Sequence, residues 1–136
     1  MGNVNLVAVV AGAAAFFAVG ALWYGPLFGK AWKDAVGYAD GKMPHPHVSH
    51  PVWLVMLMAF LLEMLVALML GHNIARTSPA PHVIMMMAVG FGAVIMAPAI
   101  GINYLFQGRP GRLFAIDAGY MVVGMAAMGA VFVALG

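Results

Sequence analysis

The chain has 136 residues, of which only four are acidic and six basic, while 65% are hydrophobic and none is cysteine. A soluble domain of this size with a mean hydropathy of +1.00 would aggregate, so a water-soluble core is excluded and a multi-pass membrane protein is expected. The missing thiols rule out disulfides, thiolate catalysis and Cys-ligated metals. With every basic residue outside the apolar segments, the isoelectric point near 9.2 reflects membrane topology and gives no support for nucleic-acid binding.

The apolar residues fall into four blocks, about 3–24, 52–71, 83–105 and 114–135. Each is near the roughly 20 residues with which a helix crosses a bilayer core of about 30 Å. The expected fold is therefore all-α, an integral membrane bundle of four transmembrane helices forming one domain over 1–136. The start, Met1-Gly2-Asn3-Val4-Asn5-Leu6, lacks the basic segment of a cleaved signal and has Leu where a myristoylation motif has Ser or Thr, so the first span is expected to be retained.

Transmembrane helices associate by close packing of small residues, and each block offers such a seam. The first carries Ala8, Gly12 and Gly20. In the second, Ala59, Glu63, Ala67 and Gly71 are successive i+4 positions; the third carries Ala93, Ala97 and Gly101, and the fourth Ala115 and Gly119. Methionines such as Met56, Met64 and the Met85–Met87 run point in all directions along their helices and are expected to be adaptable packing.

Between the first two blocks, Leu27, Phe28, Ala31, Trp32 and Ala35 recur at helical spacing with Lys30, Lys33 and Asp34 opposite. This predicts a short helix in the membrane interface. The chain then becomes Gly- and Pro-rich and contains His45, His47 and His50, three imidazoles in six residues. They could supply nitrogens to a metal, but no carboxylate or thiolate completes a set, and a polar or pH-sensitive loop is the plainer reading.

Four spans put both termini on one side. Lys30, Lys33, Lys42, Arg109 and Arg112 lie in the first and third connections, against Arg76 alone in the second. The positive-inside rule then places the first and third loops in the cytoplasm and both termini outside, in a bacterial cytoplasmic (inner) membrane.

Two formal charges lie within the blocks, Glu63 and Asp117. Glu63 is about 11 residues, or about 16 Å, into its span, near the midplane, where a charge costs at least about 2.5 kcal/mol. No basic residue lies at that depth, so a neutral, protonated carboxyl is expected, donating to a carbonyl. Pro98 lacks an N–H and frees the carbonyl of Val94 at nearly the same depth, which makes Val94 the expected acceptor. Glu63 is also the candidate intramembrane proton site. Near the cytoplasmic end, Trp23, Tyr24, Asn103, Tyr104, Asp117 and Tyr120 converge, with Arg109 or Arg112 in reach of Asp117. They form either an interfacial belt with an ion pair or a pocket for a headgroup or small ligand.

Gly20-Ala-Leu-Trp23-Tyr24-Gly-Pro26-Leu-Phe28-Gly29-Lys30-Ala-Trp32, Asn103-Tyr104-Leu-Phe106-Gln-Gly108-Arg109 and Ile116-Asp117-Ala-Gly119-Tyr120 together resemble the bacterial domain-of-unknown-function family seventeen sixty-one. The resemblance implies a small four-helix integral membrane protein of unassigned activity. Its recurrent positions map onto Trp23, Tyr24, Trp32, Asn103, Asp117 and Tyr120, while Glu63 and the histidines fall outside the pattern.

Three function classes follow. The first is a non-catalytic protein acting by packing, as a homo-oligomer or an accessory membrane subunit. The second is a small oligomeric proton- or ion-coupled carrier or channel using Glu63, disfavoured because a path needs more than one polar residue per helix. The third is an enzyme, for which no nucleophile with a base, no carboxylate pair at one depth and no complete metal set is found. The expected partners are membrane lipids and further subunits, with no nucleic acid and no cofactor.

Overall fold

A computed structural model describes residues 3–37 and 50–136. Among the described residues, four helices are long and apolar enough to cross a membrane: Leu6–Leu27, Val52–Thr77, Pro81–Gln107 and Gly111–Leu135. The last three cover their expected blocks and run past them, while the first begins and ends three residues later than its expected block. The second continues through polar Asn73 and Thr77 because their side chains donate back to the carbonyls of Met69 and Asn73, at 2.9 and 2.8 Å.

In chain order the elements are α1 (Leu6–Leu22), a π-helical turn (Trp23–Leu27), α2 (Gly29–Val36), α3 (Val52–Thr77), α4 (Pro81–Gly90), a second π-helical turn (Phe91–Met96), α5 (Ala97–Gln107) and α6 (Gly111–Leu135). Both π turns lie at a proline. Pro26 sits within the first and Pro98 two residues beyond the second, and each removes the N–H that would close an α-helical bond. The ladder widens instead: Phe28 N–H donates to Trp23 O at 2.7 Å, and Ala97 N–H to Gly92 O.

The second π turn resets the phase of the third span. Its buried positions are Ile84, Ala88, Gly92 and Ala97, a spacing of four, four and then five. Ala93, expected in the seam, therefore faces outward, and Gly92 takes its place. In the fourth span the seam runs through Asp117, Tyr120, Gly124 and Met128, and Ala115 lies outside it.

The fourth span is the hub: α6 packs on α1, on α4, on the second π turn and on α5, while α3 packs on α1. The core is Ala8, Val9, Ala13, Phe16, Ala67, Leu70, Met125, Met128 and Phe132, each at most 2% exposed, with Ala88. Leu57, Leu61, Leu65 and Leu68 on α3 are exposed, the faces that lipid covers. At the end bearing the termini, Asn5 caps α1 by accepting from Ala8 N–H and donates to Leu135 O at 2.8 Å, joining the first span to the fourth.

The short helix expected at Leu27–Val36 is present as α2 and ends at Gly37, whose φ of 77° suits glycine. It rests on α6, where Arg112 donates to Asp34 O at 3.5 Å.

Candidate functional site

The end of the bundle that carries the first and third connections, called here the basic end, contains a cavity of about 810 Å³. It is lined from every span: Phe17, Gly20 and Tyr24 from the first, Met56, Ala59 and Glu63 from the second, Ile100 and Tyr104 from the third, and Asp117, Tyr120 and Met121 from the fourth. Trp32 and Lys33 of α2, with Arg109, complete its outer wall. The second and third spans face each other across this space.

Asp117 is 7% exposed, the buried charged residue of the core. Its Oδ1 accepts the Tyr24 hydroxyl at 2.5 Å and its Oδ2 accepts the Tyr104 hydroxyl. One carboxyl thus ties the first, third and fourth spans. The expected partnership with Arg109 or Arg112 is corrected: Asp117 lies seven residues into α6, inside the bundle, where phenols of the neighbouring spans reach it first. Arg109 sits outside, its guanidinium 5.5 Å from the Tyr104 ring centre and its Nε donating to Gln107 Oε1 at 2.6 Å. Arg112 reaches α2.

One turn along α6, Tyr120 donates to Glu63 Oε1 at 2.8 Å and lies 3.2 Å from the carbonyl of Phe16. Val94 is not the partner of Glu63; the π turn leaves that residue facing outward, 72% exposed. Glu63 Oε2 is buried and has no hydrogen-bond partner. Tyr120 also joins the two carboxyl groups through its ring, packed edge-on against Tyr24 at 5.3 Å and against Phe16 at 4.8 Å. Tyr24 in turn meets Trp32 at 6.0 Å.

Small residues make room for these rings. A Cβ on Gly20 would fall 2.7 Å from the Tyr120 hydroxyl, and one on Gly119 would fall 2.9 Å from the Trp23 ring. Trp23 does not line the cavity; its Nε1–H donates to Ile116 O at 2.8 Å and pins the first π turn to α6. The residue-level expectations therefore divide. Tyr24, Tyr104, Arg109, Asp117, Tyr120 and Glu63 share the cavity, whereas Asn103 and Arg112 are exposed and lie outside it. Phe17, Met56, Ile100 and Met121 were not legible as lining, since apolar residues at cavity walls look like core in a sequence.

The family model for proteins of unknown function (DUF1761) matches residues 7–133. The chain belongs to this family. No curated protein and no solved structure matches it. Tyr24, Asp117, Tyr120 and Glu63 thus meet in one hydrogen-bonded and ring-stacked cluster. His45 and His47 of the proposed metal cluster lie outside the described residues, and among the described residues no group of three or more ligands is placed to hold a metal.

A second, smaller cavity of about 390 Å³ opens at the end bearing the termini, lined by Asn3, Asn5, Gly71, Ile74, Ser78 and Phe132. Phe16, Ala67, Leu70, Met125 and Met128 separate the two. Along the second span the barrier runs from Glu63 to Gly71, eight residues or about 12 Å.

Proposed function

We propose that this DUF1761 protein is a non-catalytic membrane carrier that binds a solute in the basic-end cavity and couples its movement to protonation of Glu63. The carrying observation is the convergence of Glu63 and Asp117, from different spans, with Tyr24, Tyr104 and Tyr120 on one cavity that ends at a thin apolar layer. All four helices contribute polar groups, which answers the objection that Glu63 stands alone.

The hydrogen-bond inventory supports a protonation-linked role. A phenol has one proton, yet Tyr120 faces two acceptors, Glu63 and the Phe16 carbonyl. With Glu63 ionised, Tyr120 donates to it. With Glu63 protonated, the acid donates to the Tyr120 oxygen and the phenol turns to Phe16. A proton on Glu63 therefore redirects a contact among the first, second and fourth spans. The methionines of the apolar layer can repack without large cost.

In this reading the protein resides in the bacterial inner membrane with both termini outside and the basic end in the cytoplasm, as the distribution of Lys and Arg favours. Spin-label distance measurements test it. Labels at Val52→Cys and Gly111→Cys across the basic end, and at Arg76→Cys and Leu135→Cys across the other, should show two populations that change in opposite senses at the two ends when Glu63→Gln is introduced. A single distance at each end, unmoved by Glu63→Gln, refutes alternation.

A second reading, a homo-oligomer or an accessory subunit of a larger membrane complex, is favoured by one feature: the cavity is half open, so a neighbouring helix could close it. Native mass spectrometry of protein extracted gently from its membrane reads the stoichiometry directly.

A further inference from the structure

We propose that the solute of this cavity is a lipophilic organic cation, held with its positive charge against Glu63 and its apolar body against the aromatic wall. The inference rests on the carrier reading of the same cavity and adds its substrate class.

Three observations carry it. First, Glu63 Oε1 is engaged by Tyr120, but Oε2 is buried without a partner in a carboxyl group that lines the cavity, so an acceptor is left over at its deep end. Second, the oxygens of Asp117 are both occupied by phenols, so this residue adds negative charge to the cavity without presenting an oxygen for a donor. Third, Phe17, Tyr24, Trp32, Tyr104 and Tyr120 supply ring faces and edges around the space, and aromatic faces attract cations most where water is excluded. The Tyr104 ring already does so for Arg109, whose guanidinium lies over it at 5.5 Å.

The charges are sorted along the cavity. Both carboxyl groups lie inward, while the basic lining residues, Lys33 and Arg109, belong to α2 and the third connection at the mouth. An anion would be held at the mouth and repelled further in; a cation with little hydration to lose meets the opposite gradient. A cavity of about 810 Å³ is within the size range of drug-sized ligand sites.

Tetraphenylphosphonium and tetraphenylborate are nearly identical in shape and opposite in charge, so they isolate the sign of the site. Binding of radiolabelled tetraphenylphosphonium to the full chain in nanodiscs of zwitterionic lipid should saturate and weaken at least tenfold in Glu63→Gln, while radiolabelled tetraphenylborate, assayed in a separate sample because the two ions precipitate together, should show no saturable binding. Circular dichroism and gel filtration check that the variant is folded, and Glu63→Asp, which keeps the charge, should retain the preference for the cation. Saturable binding of the borate as tight as that of the phosphonium, or phosphonium binding unchanged in folded Glu63→Gln, overturns the proposal. If saturable binding fails while the spin-label distances still alternate with Glu63→Gln, the substrate class is wrong and the carrier reading stands; if both fail, the carrier reading falls with it.

Discussion

The hydroxyl of Tyr120 donates to Glu63 Oε1 at 2.8 Å across a sequence separation of 57 residues, joining the second span to the fourth at mid-height. Tyr120→Phe keeps the ring contacts with Phe16 and Tyr24 but leaves the Glu63 carboxyl without a protein donor. Side-chain hydrogen bonds between transmembrane helices average about 0.6 and reach about 1.7 kcal/mol, so a double-mutant cycle of Tyr120→Phe with Glu63→Gln should give a coupling energy within that range. Reversible unfolding in mixed micelles measures it; additivity within about 0.3 kcal/mol would show that the pair contributes nothing.

Asp117 depends on two phenols. Tyr24→Phe and Tyr104→Phe each remove one interhelical donor, at about 0.6 and up to about 1.7 kcal/mol. The double variant leaves Asp117 buried with neither and should lose more than either single variant. Reversible unfolding in mixed micelles measures the losses, and the further change Asp117→Asn, which replaces the carboxyl by a neutral amide, should recover part of them.

Gly92 and Gly90 form a contrasting pair. A Cβ on Gly92 would lie 2.8 Å from the Met121 carbonyl oxygen and 3.0 Å from Val122 Cα, backbone that cannot yield without separating the third and fourth spans. Gly92→Ala should destabilise by about 1–3 kcal/mol, as overpacking does. Gly90→Ala meets nothing within 4 Å and should be neutral or stabilising, through helix propensity. Thermal denaturation in detergent compares them directly.

The chain has no cysteine, which makes topology simple to read. Ala80→Cys and Gly111→Cys, both at exposed positions on opposite ends of the third and fourth spans, should label asymmetrically with a membrane-impermeant maleimide. Ala80→Cys reacts on intact cells and Gly111→Cys only after permeabilisation. The reverse pattern would invert the proposed orientation.

Most of the fold is visible in the sequence because hydrophobic length and loop punctuation act locally. The four spans, the short helix α2 and the inward line of Ala59, Glu63, Ala67 and Gly71 needed no tertiary information. The grouping of Tyr24, Tyr104, Asp117 and Tyr120 was also legible, since the topology brings these span ends together. The details missed in the third span share one cause. Pro98 was recognised as the loss of a donor to Val94, but the backbone answered by widening into a π turn, and the added residue turned Val94 and Ala93 outward and Gly92 inward. Uniform helical periodicity carries no record of that step. The two arginines failed as partners of Asp117 for another reason: charge complementarity in a sequence ignores which neighbour the bundle places nearer.

The apolar layer of Phe16, Leu70, Met125 and Met128 also fixes where the protein would feel voltage. With a cavity on each side of it, the membrane potential falls mainly across this layer rather than across the full thickness of the bilayer. A unit charge carried from Glu63 to the far cavity therefore exchanges close to the whole potential, about 2.3 kcal/mol for every 100 mV. A charge that stops at Asp117, on the near side of the layer, exchanges little. The single step that moves a charge across the layer should accordingly be electrically steered, whereas a one-for-one exchange of the cation for a proton on Glu63, and occupancy of the basic-end cavity, should not.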